Sequence, residues 1–284
     1  MKIQIAGVRR GNQYSPNHIG NDAAIFQLTV DYLKKMDCDI IEYAENEFQK
    51  ADMIEADIIF NMARDTKTIQ RLQNLESEGK KVINSGYGIE NCTREKMTRI
   101  LLKNGIPHPK SLIIPTKAKL PDNINNMGSH CWIKRGDFHA IHREDVTYAQ
   151  VGEEAQSILK EYALRGIPSA VINEHLFGDL IKFYGIKGTP FFHWFYPNDL
   201  NHSKFGLEKI NGESKGIYFN EEELKYICNK AAKILSIHIY GGDAVIDPDG
   251  VIRLIDFNDW PSFAPCRAEA APFIADCIYE FATK

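Results

Sequence analysis

The stretch Gly241-Gly242-Asp243-Ala244-Val245-Ile246-Asp247-Pro248-Asp249-Gly250-Val251-Ile252-Arg253-Leu254-Ile255-Asp256-Phe257-Asn258-Asp259-Trp260-Pro261 decides how this chain reads. Asp247-Pro248-Asp249-Gly250 is a turn signal between two apolar, β-branched runs, so the segment reads as a β-hairpin. Side chains alternate faces along a strand, and Asp256 and Asn258 therefore point the same way. A turn that pairs Ile246 with Val251 sets Asp243 opposite Leu254 and diagonal to Asp256, roughly 7–8 Å from it on that face. Two carboxylates and an amide oxygen then converge on one surface. Such a sparse oxygen set holds a hard divalent cation together with nucleotide phosphates and water. Taken alone, the same residues also describe an acidic hairpin with a solvated face.

The rest of the composition narrows the function classes. The chain has 284 residues, 44% hydrophobic and 25% charged, which is ordinary for a globular protein and long enough for two or three lobes. A net charge of −4 gives no reason to expect nucleic acid or an anionic membrane as partner. No apolar run approaches the roughly 18 residues of a membrane span. The start Met1-Lys2-Ile3-Gln4-Ile5-Ala6-Gly7 reads as a strand rather than a signal peptide, so a cytoplasmic location is expected. The six cysteines lack any Cys-x-x-Cys spacing, which points to reduced thiols rather than a zinc site or a disulfide framework. His139 and His142 are three apart but fall in a loop between strand-like runs.

Residues 1–105 alternate strand and helix signals: Ile3–Val8, Ala23–Lys35, Ile40–Tyr43, Asp57–Asn61, Thr66–Glu78, Val82–Asn84 and Arg94–Leu102. This predicts an open α/β sheet. Ligands of such sheets bind beyond the carboxyl ends of the strands, so the loops after Val8 and Phe60 are candidate binding loops. The first, Arg9 to Asn17, is polar and dibasic, suited to an anionic substrate or equally to solvent. Ile106-Pro107-His108-Pro109 marks a boundary. Beyond it come strands at Ser111–Ile114 and Cys131–Lys134, a helix at Gly152–Leu164, strands at Ala170–Asn173 and Ile181–Ile186, a helix at Glu221–Leu235, the hairpin, and a closing helix at Ala268–Glu280. The expected division is 1–105, 106–180 and 181–284. His193-Trp194-Phe195-Tyr196-Pro197 and the polar run Asn198–Ser203 read as a loop or strand edge near the mouth of a site, the aromatic cluster serving as packing between lobes rather than as a recognition surface.

Four pieces occur in one order: Lys96 at the start of a helix in Cys92-Thr93-Arg94-Glu95-Lys96, Lys134 ending the strand Cys131-Trp132-Ile133, the run Val171-Ile172-Asn173-Glu174-His175-Leu176-Phe177-Gly178-Asp179-Leu180-Ile181-Lys182, and the acidic hairpin. In this ordered set the chain resembles the ATP-grasp superfamily over almost its whole length. The resemblance implies a Rossmann-like open α/β domain, a small central lobe and a C-terminal α+β lobe. It implies ATP as cofactor, with magnesium, or manganese in its place, held by Asp243, Asp256 and Asn258. It further implies that Lys96 and Lys134 contact the phosphates, that the linker at Glu174-His175-Leu176 presents backbone groups to adenine, and that Glu174 or Asp179 binds the ribose. Members of that superfamily usually carry a glycine-rich flap after the second lysine, which normally cradles phosphate through its amides. This chain has Arg135-Gly136-Asp137-Phe138-His139-Ala140-Ile141-His142, where Arg135 and His139 are the candidate donors instead.

Such a site transfers a phosphoryl group by positioning and charge neutralisation, without a protein nucleophile. Phosphorylating a carboxylate makes an acyl phosphate for an amine or thiol to attack; phosphorylating a hydroxyl makes a kinase. Lys182, expected to point toward the transferred phosphate, is similar to the lysine of inositol phosphate kinases. The run from Asn258 through Pro261 to Arg267 looks like the peptide and glutathione ligase branch, in which Arg267 would bind a substrate carboxylate. The ligase is the expected reading, acting on a small molecule or peptide; the kinase and a nucleotide-binding regulatory role are the alternatives. The oligomeric state is left open, a homodimer being one option.

Overall fold

The computed structural model describes residues 2–16, 19–140, 142–197 and 207–284. The run Asn198–Ser203 lies outside them. The first unit is a parallel sheet in the order β2-β1-β3-β4, built from β1 (Ile3–Arg9), β2 (Cys38–Ala44), β3 (Ile58–Asn61) and β4 (Lys81–Ile83). Parallel strands need crossover helices, and these cover both faces. On one face α1 (Ile19–Lys35) packs its stripe Ile25, Phe26, Val30 and Leu33 against Ile5, Ile58 and Phe60. On the other, α2 (Glu45–Lys50), α3 (Thr66–Ser77) and α4 (Gly86–Asn91) bury Phe48, Leu72 and Ile89 against Ala6, Val8 and Ile59. β3 and the centre of β1 are buried on both sides, which is why they read as apolar runs, whereas the edge strand β2 is half-exposed and mixes in polar residues.

After α5 (Arg94–Lys103), a second sheet orders β5 (Ser111–Pro115), β8 (Ser169–Glu174), β6 (His130–Arg135) and β7 (Val146–Gln150), all antiparallel, with α6 (Glu153–Leu164) burying Ala155, Leu159 and Tyr162 against it. A third, in the order β10-β9-β11-β12, comprises β9 (Asp179–Ile186), β10 (Phe192–Phe195), β11 (Ile239–Ile246) and β12 (Ile252–Asp259). The helix α7 (Glu221–Leu235) covers its back, together with Met97 and Leu101 of α5. The last helix, α8 (Arg267–Thr283), returns to the first unit and buries Ile274 and Ile278 beside α1. Asn84 joins the first and third sheets: its Nδ2 donates to the Ile239 carbonyl at 2.8 Å, and its Oδ1 accepts from the His238 and Ile239 amides at 2.9 Å. Among the described residues no helix is long and apolar enough to cross a membrane, and all six cysteines are buried free thiols.

The hairpin forms, with a register that corrects the expected one. Its turn runs from Asp247 to Val251, closed by the Asp247 amide donating to the Val251 carbonyl at 3.1 Å, with Gly250 at φ +80°. Ile246 therefore pairs with Ile252, not Val251, and Ala244 pairs with Leu254. Between Ala244 and Asp243 the ladder bulges, leaving Ile255 without a partner, and Asp243 lies directly opposite Asp256. The bulge has a consequence for facing. Ile252 and Leu254 point into the core with Ala244 and Phe257, and strict alternation would send Asp256 after them. One extra residue reverses the parity and turns Asp256 and Asn258 to the open face.

Candidate active site

A cleft of about 310 Å³ lies between the second and third sheets and the strand ends of the first. Its floor is one face of the third sheet. Leu180, Lys182 and Tyr184 come from β9, Gly241, Asp243 and Val245 from β11, and Asp256 and Asn258 from β12, all at alternating positions. Lys182 pairs across the ladder with Asp243, and its Nζ lies 2.9 Å from Asp243 Oδ1. Gly241 lies opposite Asn258; without a side chain it leaves that stretch of floor open, and a Cβ there would meet Tyr184 at 2.7 Å.

Two further cations enter from outside this sheet. Lys134, at the end of β6, crosses from the second sheet and donates to the carbonyl of Ile255, the bulged residue, at 3.1 Å. It is 7% exposed. Burial pushes its amine down to about 7, Arg94 acts in the same direction, and Asp256 and Asp243 oppose. Arg94, the first residue of α5 and 6% exposed, places Nη1 3.1 Å from Asp256 Oδ1. Burial works to raise the Asp256 carboxyl, but Arg94 and Lys134 outweigh it and hold the group below its ordinary value. Asp256 is thus an anion held among cations. Where the second and third sheets face each other the cleft has an apolar slot, lined by Trp132 and Val146 of one sheet, Leu180 and Val245 of the other, and Leu176 of the connection between them. Flat walls on two sides with a charged end suit a planar ring carrying phosphates.

No family model and no curated protein matches this sequence. Solved structures do. The chain is similar to a D-alanine–D-alanine ligase from Bacillus anthracis complexed with ATP, at 16% identity and a TM-score of 0.67, with 99% of this chain and 97% of that one covered. It is similar to the ATP-grasp ligase PsnB complexed with a minimal precursor, at 15% identity and a TM-score of 0.66, covering 99% and 100%. A RimK-domain ATP-grasp protein from Sphaerobacter thermophilus gives 12% identity and a TM-score of 0.68, covering 97% and 99%. The chain has the ATP-grasp fold.

The ATP-grasp cleft brings together Lys134, Glu174, Leu176, Lys182, Asp243, Asp256 and Asn258 of the residues singled out by sequence. It does not bring in Lys96, Asp179 or Arg267. Lys96 is half-exposed and pairs with Glu90 at 2.7 Å. Asp179, 2% exposed, accepts the amides of Lys215 and Ile217 at 2.8 Å each and so fixes a backbone segment. Arg267 donates to Asn21 Oδ1 at 2.9 Å, tying the start of α8 to α1. From the same helix it is Arg94 that lines the cleft. Met97 and Leu101 define the buried stripe of α5, and on a helix Arg94 shares that stripe whereas Lys96 is turned about 200° from Arg94. That periodicity is the signal by which Arg94 can be found.

The flap also differs from expectation. Arg135 is engaged by Asp137 at 2.9 and 3.0 Å and does not line the cleft. Phe138 and His139 do, Phe138 meeting the Tyr14 ring at 5.9 Å and His139 Nε2 lying 3.5 Å from Asp259 Oδ1. Ile141 of the flap lies outside the described residues. The loops after β1 and β3 contribute Arg10, Tyr14 and Arg64 to the cleft wall. One buried carboxylate holds both loops: Glu45 accepts the amides of Gly11 at 2.8 Å, Asp65 at 2.9 Å and Arg64 at 2.5 Å.

Proposed function

We propose that this chain is an ATP- and magnesium-dependent ligase that joins a carboxylate to an amine or thiol through an acyl phosphate. The observation that carries this reading is the convergence, at the charged end of an apolar slot, of Lys134, Arg94 and Lys182 on the carboxylate pair Asp243 and Asp256. In this reading Trp132, Leu176 and Val245 take the adenine, and Glu174, which lines the cleft while accepting the Lys110 amide at 2.8 Å, takes the ribose. Lys134 and Arg94 hold the phosphates, and Lys182 faces the phosphoryl group in transfer.

Among the described residues no three His, Cys, Asp or Glu cluster closely enough to bind a metal unaided. Two carboxylates and an amide fit magnesium, which keeps few protein ligands and completes its shell with phosphate oxygens and water. Asp243, Asp256 and Asn258 would hold it, and the ion supplies charge neutralisation at the terminal phosphate. The remaining work belongs to the chain: fixing the triphosphate, closing the slot to water and placing the acceptor in line. Each is positioning and electrostatics, for which no Ser, Cys or His nucleophile is required.

The test is a screen of ATP consumption against carboxylates, amines, thiols and polyols, read by product mass. A condensation product with release of phosphate supports the ligase. An acceptor heavier by one phosphoryl group overturns it in favour of a kinase.

A further inference from the structure

The N-terminal wall of the cleft carries a second charged group to which the nucleotide reading gives no role. Arg64, from the loop after β3, is 7% exposed, and Asp259, at the end of β12, is 1% exposed. They pair at 3.0 Å through Arg64 Nη2 and Asp259 Oδ1, and Nη2 also meets the Asp259 carbonyl at 3.2 Å. Arg64 Nη1 and Asp259 Oδ2 are buried without a hydrogen-bond partner among the described residues, and both side chains line the cleft. An unmet buried donor and an unmet buried acceptor each keep the cost of desolvation unless something fills them.

The neighbouring ion pair is closed by comparison. Arg10 directs Nη1 to Asp22 Oδ2 at 3.0 Å, Nε to the Met62 carbonyl at 3.1 Å and Nη2 to the Trp260 carbonyl at 2.9 Å. Arg10 and Asp22 therefore form a fixed frame, and Glu45 locks the backbone of Arg64. The two pairs cancel in charge. A bare anion or a bare cation entering here would leave one buried charge in excess, whereas a ligand carrying both signs would not.

We propose that this wall is the acceptor subsite and that it binds a free α-amino acid, with the carboxylate on Arg64 Nη1 and the ammonium on Asp259 Oδ2. The naming of this ligand as acceptor rests on the ligase reading; its binding does not. The two charged groups of an α-amino acid are a few ångströms apart, matching the unmet ends of a guanidinium and a carboxylate that already pair through Nη2 and Oδ1. The side chain is left to the open part of the cleft, so it sets which amino acid is preferred.

The experiment is calorimetric titration of the full chain with each of the common α-amino acids of either hand, with and without magnesium–ADP, followed by the N-acetyl and C-terminal amide forms of the best binder. A free amino acid should bind, and either derivative should bind on the order of 10²-fold more weakly or not at all, because each leaves one buried group unmet. Arg64→Met should remove the binding while magnesium–ADP still binds. If no free amino acid binds, or if the derivatives bind as well as the parent, the subsite is overturned. Because the derivative series uses the unaltered protein, a poorly folded Arg64→Met does not blunt the result. Magnesium–ADP binding without amino acid binding removes the subsite alone; amino acid binding without magnesium–ADP binding removes the ligase reading and leaves the subsite standing.

Discussion

The floor and the wall of the cleft treat charge in opposite ways. On the floor every carboxylate faces a cation delivered by a different element: Asp243 faces Lys182 of β9, and Asp256 faces Arg94 of α5. On the wall Arg64 and Asp259 face each other and leave polar atoms unmet. In the ligase reading the floor is a set of groups that exchange protein partners for phosphate and metal, and its response to mutation follows charge. The wall is neutral in sum and rigid, and its response follows the shape and sign pattern of a ligand.

The largest expected effect tests the floor. Asp256→Asn keeps an oxygen for the Phe257 amide, which now donates to Asp256 Oδ1 at 2.9 Å, and removes only the charge. Magnesium-dependent ATP turnover should fall by roughly 10³-fold, the scale seen when a preorganised charge-stabilising group is lost. Thermal unfolding followed in parallel shows whether the fold survives. Turnover within a few-fold of the parent would take Asp256 out of the metal site. Arg94→Met should come next, with the ATP requirement rising about 10²-fold as the buried guanidinium assigned to the phosphates is lost. An unchanged KM for ATP would break the assignment of Arg94 to the phosphate end.

Lys134 yields a prediction with a sign in pH. Its folded pKa, about 7, lies below the ordinary 10.5, so between these values the unfolded chain binds a proton that the folded one does not. Stability of the ligand-free protein should therefore rise as pH rises from about 7 toward 10, and Lys134→Met should flatten that rise. Nucleotide binding runs the other way. Phosphate favours the ammonium form, so above pH 7 binding must take up a proton and affinity should fall by up to about tenfold per pH unit. Calorimetry at pH 8 in buffers of different ionisation heat counts that proton. Finding no uptake in the parent, or the same uptake in Lys134→Met, defeats the assignment.

What the sequence makes legible follows the same division. The hairpin, the parallel first sheet and Lys134 at a strand end are local patterns, set by period-two alternation and turn chemistry. The pairing of Asp243 with Asp256 was not legible, because a single bulge at Ile255 shifts the register and no residue there announces it. Arg94 is legible from helix periodicity, whereas the resemblance points to Lys96. Arg64 and Asp259 are 195 positions apart and meet because Asn84, the Arg10 bond to the Trp260 carbonyl and the packing of Phe60 on Trp260 dock the first sheet against the third. No local pattern encodes such a meeting.

The smallest expected effect is therefore informative about α5. Lys96→Ala removes an ammonium that is half-exposed and paired with an equally exposed Glu90, an interaction worth about 0–1 kcal/mol. Alanine is the better helix former by a few tenths of a kcal/mol, so stability should move by less than about 0.5 kcal/mol in denaturant titration. The KM for ATP should change less than about twofold, since Met97 and Leu101 fix the rotation of the helix with Arg94 inward. A KM change near that of Arg94→Met would mean that α5 turns about its axis when nucleotide binds. The cost of such a turn would be the withdrawal of Met97 and Leu101 from the core behind the third sheet, two fully buried side chains worth roughly 1.5–3 kcal/mol each, and phosphate contacts from one lysine would have to offset it.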